Sequence, residues 1–169
     1  MNKVRLILEN GKHLDIEVYE DIAPISASNF LKLVDAKYYD GVIFHRIIRD
    51  FMVQTGGYKL DGDELYEADE TAAIKGEFQS NGVKNDLKHT LGVVSMARTS
   101  IKDSASSQFF ICTADAPHLN GEYAAFGKVV GEESYKVLEE LNQARTEFIS
   151  NMFADFPYPI IKIKTIERI

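Results

Sequence analysis

The stretch Phe44-His45-Arg46-Ile47-Ile48-Arg49-Asp50-Phe51-Met52-Val53-Gln54 combines a permanent cation, an amide and large apolar groups at short spacing. Alternate residues of a strand share a face, which places Phe44 and Arg46 on one side and His45 and Ile47 on the other. After a turn at Arg49-Asp50, Met52 and Gln54 share a face. One surface then carries Arg46, Met52 and Gln54, with Phe51 leaning over it from the start of its strand. Two more clusters follow, Ser95-Met96-Ala97-Arg98-Thr99 and Ser106-Ser107-Gln108-Phe109-Phe110-Ile111, in which Gln108 and Phe110 alternate onto one face. A hollow collecting Phe51, Met52, Phe110 and Leu119 would be apolar, rimmed by Arg46, Gln54 and Gln108. That is the make-up of a pocket for a small ligand or a peptide. The competing reading is an ordinary core face beside an ion-paired surface arginine, and pattern alone leaves both open.

Other chemistry is poorly provided for. The four histidines show no His-x-x-x-His spacing, no Cys-x-x-Cys occurs, and no metal or cofactor is expected. His45 is expected to point away from Arg46 as a structural hydrogen-bonding residue. The acidic run 61–70 lacks the spacing of a calcium loop and reads as a solvated loop. The single cysteine, Cys112, lies in an apolar run and reads as a small buried hydrophobe, with no internal disulfide possible.

The elements that must position these residues follow from periodicity and turn residues. Segments 4–8 and 13–18 read as strands joined by Asn10-Gly11, a strong hairpin signal. Pro24 marks a helix entry, and Ile25, Phe30, Leu31, Leu33 and Val34 form one helical stripe. Strands are expected at 42–48, at 51–53 before Gly56-Gly57, and at 91–97, 109–113, 124–130 and 160–169. A second helix is expected at 133–145, from Tyr135, Val137, Leu138 and Leu141. Segments 59–70, 76–88 and 99–107 read as loops. Many short strands and two well-separated helices favour an antiparallel sheet, closed or sandwiched, with helices at its ends. The 169 residues suit one domain, 1–169.

The formal charge of −7, from 19 Lys+Arg against 26 Asp+Glu, argues against nucleic acid or an anionic membrane as partner. No apolar stretch reaches the ~20 residues of a membrane-spanning helix. The first residues lack the apolar block of a signal peptide. The expectation is a monomer in a reducing cytoplasm.

Taken together, the motifs resemble a known family. Phe44-His45-Arg46-x-Ile48-x-x-Phe51-Met52-x-Gln54-x-Gly56-Gly57 is similar to the cyclophilin signature. Pro24-x-x-x-x-Asn29-Phe30 precedes it, and Gly92-Val93-Val94-Ser95-Met96-Ala97, Ser107-Gln108-Phe109-Phe110-Ile111 and Leu119-Asn120-Gly121-x-x-x-x-Phe126-Gly127 follow in the family's order. The resemblance covers nearly the whole chain. It implies a mainly β fold, a closed eight-stranded antiparallel barrel capped by two α-helices, and peptidyl-prolyl cis/trans isomerase activity without a cofactor. Arg46 matches the catalytic arginine. Phe51, Met52, Phe110 and Leu119 match the wall of the proline pocket. Gln54 and Gln108 match the groups that hold the substrate backbone, with Gln54 counted beside Arg46 as catalytic. Ala97, Arg98 and Thr99 match the stretch that pairs with the peptide by main chain. The implied partners are proline-containing peptides and folding proteins.

Three positions depart from the family's commoner pattern. His118 stands where the family often has Trp, Tyr123 where many members have His, and Arg49-Asp50 where Pro-Gly is commoner. The first two lie at the expected pocket rim and argue for at most weak binding of cyclosporin. They also resemble the pattern of bacterial members, as does the 75–90 stretch. Two rival readings stay in view. One is a proline-peptide reader or holding chaperone on the same fold with little catalysis. The other is a carbohydrate- or lipid-binding barrel, which would need an open interior.

Overall fold

The structure is a computed structural model and describes residues 2–169. Eleven strands and two α-helices follow in chain order: β1 Asn2–Leu8, β2 His13–Val18, α1 Pro24–Asp35, β3 Val42–Ile48, β4 Met52–Asp61, β5 Glu64–Glu67, β6 Val93–Met96, β7 Phe109–Cys112, β8 Ala125–Val130, α2 Glu132–Asn142, β9 Thr146–Glu147, β10 Phe156–Pro157 and β11 Ile163–Arg168. Eight strands form an antiparallel path in the order β11-β1-β2-β8-β6-β7-β4-β3. Its two ends meet through the bridge between Ile43 and Lys162 and a hydrogen bond from Phe44 N to Ile161 O of 3.0 Å. The result is a nearly closed barrel, as the sequence reading expects. Among the described residues no helix is long and apolar enough to cross a membrane.

Inward-pointing residues fill the barrel. Phe30 of α1 sits among the rings of Tyr39, Phe109 and Phe126, with centroids 5.7, 5.2 and 5.1 Å away. Such tilted and edge-on pairs are favourable beyond the area they bury. Phe109, Phe126, Ile16, Val94 and Ile111 are fully buried in the same cluster, so side chains occupy the space that a barrel with an internal ligand would leave open.

α1 matches its apolar stripe except at Ile25, which is 43% exposed. Its N-terminus has no capping side chain of its own, since Ala23 stands at the cap position. Glu77, distant in sequence, supplies one. Its carboxylate accepts from Ile25 N (3.1 Å), Ser26 N (2.6 Å) and Ser26 Oγ (2.8 Å), where the positive end of the helix favours an anion.

Two expectations are corrected. The 59–70 segment is not a plain loop: β4 continues through Asp61 and pairs with β5 as a hairpin. Its side chains are mostly exposed, so main-chain pairing, not a core face, maintains it. The strand at Phe51 is also longer than expected, because β4 runs straight through Gly56-Gly57. At both glycines a Cβ would collide with neighbouring groups, Ser107 O at Gly56 and the Gln108 side chain at Gly57. Here glycine permits close approach of β4 to the 107–108 segment and does not end the strand.

Candidate active site

The alternation of β4 and β7 makes one barrel wall serve two surfaces. Val53, Phe109 and Ile111 point into the barrel core, while Met52, Phe110 and Cys112 form a second, smaller apolar cluster outside it with Ala116 and Leu119. That outer cluster is the floor of a hollow of about 100 Å³ lined by Arg46, Phe51, Met52, Gln54, Ala97, Arg98, Phe110, Leu119 and Tyr123.

Arg46 reaches this surface through a bulge. Phe44 pairs with Thr55 and Arg46 with Gln54, so two steps on β3 oppose one on β4. Simple alternation puts Phe44 and Arg46 on the same side, and the structure corrects this. Phe44 and Ile47 are both in the core, 1% and 2% exposed, while Arg46 lies outside. Without the extra residue, Arg46 would follow Phe44 inward.

The guanidinium donates from Nη1 to Gln54 Oε1 (3.2 Å), and Gln54 Nε2 donates to Gln108 Oε1 (2.9 Å). Among the described residues Arg46 takes part in no ion pair; seven such pairs occur elsewhere. Most of its five N–H donors therefore have no protein partner among the described residues. Gln108 and Thr99 do not line that hollow. With Gln54, Ala97, Arg98, Ser104 and Ser106 they line an adjoining recess of about 240 Å³. Main-chain and hydroxyl partners are partly engaged here: Ala97 N donates to Gln108 O (3.0 Å) and Thr99 N to Ser104 Oγ (2.9 Å).

The walls are held by specific contacts. Tyr123 meets Phe110 edge-on at 5.8 Å and 85°. Arg98 lies between two rings, its Cζ 4.6 Å from the Tyr123 centroid and 4.8 Å from that of Phe78. It also donates to Glu122 O (2.6 and 3.1 Å) and Thr99 O (2.9 Å), tying the two sides of the hollow together. His118 does not line the hollow. Its ring packs against Phe51, with centroids 5.4 Å apart. The turn before Phe51 places Asp50 at φ 58°, and Asn142 receives its N–H (2.8 Å) and donates to its carboxylate (3.0 Å). Asp tolerates this left-handed position, which explains how Arg49-Asp50 serves in place of Pro-Gly.

Sequence reasoning missed His89, Phe78, Ser104 and the supporting role of Asn120. The His89 ring stacks behind Phe110 at 6.1 Å and 18°. Its Nδ1 lies 3.2 Å from Asn120 Oδ1 and its Nε2 2.9 Å from Ser95 Oγ. Burial holds its pKa below the ordinary histidine value. Nothing local in the sequence signals this, because the partners lie on three separate segments.

His45 does point away from the hollow, but it is not a hydrogen-bonding residue as expected. It packs edge-on to Tyr58 (4.8 Å) and near Phe153 (6.4 Å), and its buried Nδ1 has no partner. Burial, reinforced by the neighbouring Arg46 charge, lowers its pKa to about 4. A folded-state pKa below the unfolded one means the unfolded chain binds the proton first. Stability is therefore full above about pH 6.5 and falls as the pH drops toward 4. By pH 5 the expected loss is about 2 kcal/mol. Denaturant titrations at pH 7 and 5 should show it, and His45→Gln should flatten the difference; equal stability at both pH values would contradict this burial. Cys112 is buried, and desolvation raises its thiol to about 12, consistent with a packing role.

The hollow has an apolar floor, with Gln54 and an arginine that has no ion pair among the described residues in its lining and Gln108 in the adjoining recess, and comparison with known proteins decides the family. Residues 3–168 match the family model for cyclophilin type peptidyl-prolyl cis-trans isomerase/CLD. The chain belongs to the cyclophilin-type peptidyl-prolyl cis-trans isomerases. A peptidyl-prolyl cis-trans isomerase of Acinetobacter baylyi is 40% identical over 163 residues, covering 94% of this chain and 81% of the relative. Peptidyl-prolyl cis-trans isomerase A of Dickeya dadantii is 36% identical over 166 residues, covering 95% and 79%. A cyclophilin of Cryptosporidium parvum, solved in the presence of the dipeptide Ala-Pro, superposes with a TM-score of 0.77 at 29% identity, covering 98% of this chain and 97% of that one. As a cyclophilin, this chain is an isomerase of X-Pro peptide bonds, and the purely carbohydrate- or lipid-binding barrel is set aside.

Proposed function

We propose that this isomerase binds the proline ring of a peptide in the hollow of Phe51, Met52, Phe110 and Leu119 and uses Arg46 to stabilise the twisted transition state. The observation that supports this reading is the guanidinium at the hollow's rim, held by one amide and, among the described residues, by no carboxylate. The dipeptide Ala-Pro present with the Cryptosporidium parvum relative is the matching ligand chemistry.

The reaction makes and breaks no covalent bond. Rotation is slow because the amide is conjugated, with a barrier of ~18–20 kcal/mol. As the bond twists, the proline nitrogen loses conjugation and its lone pair becomes a better hydrogen-bond acceptor. Arg46, a permanent donor, then binds the transition state more strongly than either planar state. Gln54 is oriented by its bonds to Arg46 and Gln108, and its second N–H is left to hold a substrate carbonyl. The segment at Ala97 and Arg98 guides the chain by main chain.

Magnitudes show that the arginine does not act alone. An acceleration of about 10⁴-fold needs roughly 5–6 kcal/mol. One charge-assisted hydrogen bond supplies about 1.5–3 kcal/mol net. Holding the ring against the apolar floor while the carbonyl side turns supplies the remainder through orientation. Protein-folding assistance follows as the proposed cellular use, since X-Pro isomerisation takes tens to hundreds of seconds unaided.

The floor gives a separate test. Phe110→Ala is expected to raise KM for a proline peptide about tenfold, equivalent to roughly 1.4 kcal/mol, with a smaller change in kcat. NMR exchange kinetics at several peptide concentrations separate the two constants. An unchanged KM would remove Phe110 from the binding wall.

A further inference from the structure

Between β9 and β10, which form a two-stranded sheet apart from the barrel, the chain makes a flap. Its base is the two-residue pairing of Thr146–Glu147 with Phe156–Pro157. It is fastened beside the catalytic strand by Ile47 N donating to Asp155 O (3.0 Å). Inside, Phe153 packs edge-on to Tyr58 (5.0 Å) and Phe156 (5.5 Å). Outside, three large apolar residues within five positions face solvent: Phe148 at 68%, Ile149 at 54% and Met152 at 68% exposed. Folded chains seldom leave such a concentration uncovered without use for it.

The flap also bounds a second hollow of about 350 Å³. Arg46, Gln54, Tyr58, Met152, Ala154 and Asp155 line it, together with His45 and Asn151. Arg46 and Gln54 line both this hollow and the proline hollow, so the two adjoin at those side chains. A polypeptide whose proline fills the first would run its neighbouring residues over the second. Its lining mixes a thioether, an aromatic face and a methyl group with amide and carboxylate oxygens. Such a lining suits an extended chain that offers an apolar side chain and free peptide N–H groups.

We infer that the flap is an added substrate subsite, which grips an apolar residue of an unfolded polypeptide close to the isomerised proline. The inference rests on the reading of Arg46 and its hollow as the proline site. It makes this enzyme selective for prolines in apolar sequence context, the context exposed by unfolded chains and hidden in folded ones.

The test uses the full chain with Phe148→Ser, Ile149→Ser and Met152→Ser combined. All three residues are exposed, and retained activity on a blocked tetrapeptide centred on one proline reports intact folding. The probes are ten-residue peptides with Leu or Ser placed two positions before or two positions after a single proline, followed by NMR exchange. The unaltered protein is expected to show a KM about five- to tenfold lower for one of the two Leu placements than for its Ser counterpart. In the triple variant that preference is expected to vanish, with kcat and tetrapeptide turnover unchanged. No discrimination between Leu and Ser by the unaltered protein overturns the subsite. So does an equal loss on the tetrapeptide, which makes the flap a prop for Arg46. A change from dimer to monomer on substitution, read by sedimentation, also overturns it, because the patch then serves a second copy of the chain. Failure of the proline-site reading itself looks different: Arg46→Ala would leave tetrapeptide turnover intact.

Discussion

Replacing Arg46 by Ala is expected to lower kcat/KM on a proline tetrapeptide by about 10–10²-fold, the loss of one charge-assisted hydrogen bond of about 1.5–3 kcal/mol that forms fully only in the twisted state. The fold should survive, because Arg46 is exposed, forms no ion pair among the described residues and makes a single side-chain bond, to Gln54. Circular dichroism and the midpoint of denaturation are the controls. The loss should fall mainly on kcat, since the donor gains strength only as the amide twists and the apolar floor that binds the ring is untouched. Arg46→Lys should recover little of it. An ammonium keeps the charge but cannot donate to Gln54 and to the proline nitrogen from one rigid fork. A folded Arg46→Ala protein with unchanged turnover would falsify the mechanism and leave a reader of proline peptides on an isomerase scaffold.

The second large effect concerns stability. Glu77→Ala is expected to destabilise the protein by roughly 4 kcal/mol, because three donors of α1 lose an ionised acceptor and hydrogen bonds to charged groups contribute about 1.5–3 kcal/mol each, without full additivity. Glu77 is 2% exposed, and Ser26, which it receives twice, is fully buried, so water cannot readily substitute. α1 carries Phe30 into the aromatic centre of the barrel, which makes its seating a concern of the whole core. Glu77→Gln should recover part of the loss, since an amide oxygen still accepts but contributes no charge to the helix N-terminus. Urea titration of the three proteins decides the matter. A loss below about 1 kcal/mol for Glu77→Ala would mean the helix end finds other partners.

These two residues mark the range of what local sequence conveys. Arg46 stands out because a cation sits among hydrophobes in a motif that resembles the cyclophilin signature. Glu77 is one acidic residue in an irregular segment, and its task depends on a helix some fifty positions earlier in the chain. The same contrast holds for whole elements. β1 and β2 are legible because burial imposes alternation on them. β5 and β9 are not, because they are short and kept by pairing at the surface, where no apolar pattern is required, and β10, though buried, is only two residues long and too short to show a period. The acidic run beyond β4 therefore reads as a loop although part of it is a hairpin. His89 behind Phe110 and Arg98 between Phe78 and Tyr123 are legible only as contacts between distant segments.

By itself the sequence determined the class of fold and the family resemblance, and it offered a candidate set of site residues: one arginine, two glutamines and an apolar group. Periodicity and residue type carry that much, because they record which face of each strand meets water. Only the tertiary structure decided that a one-residue bulge turns Arg46 outward while Phe44 stays inside, and that no carboxylate among the described residues comes within pairing distance of it. Those outcomes depend on register and on which segments meet, and a local pattern of side chains encodes neither.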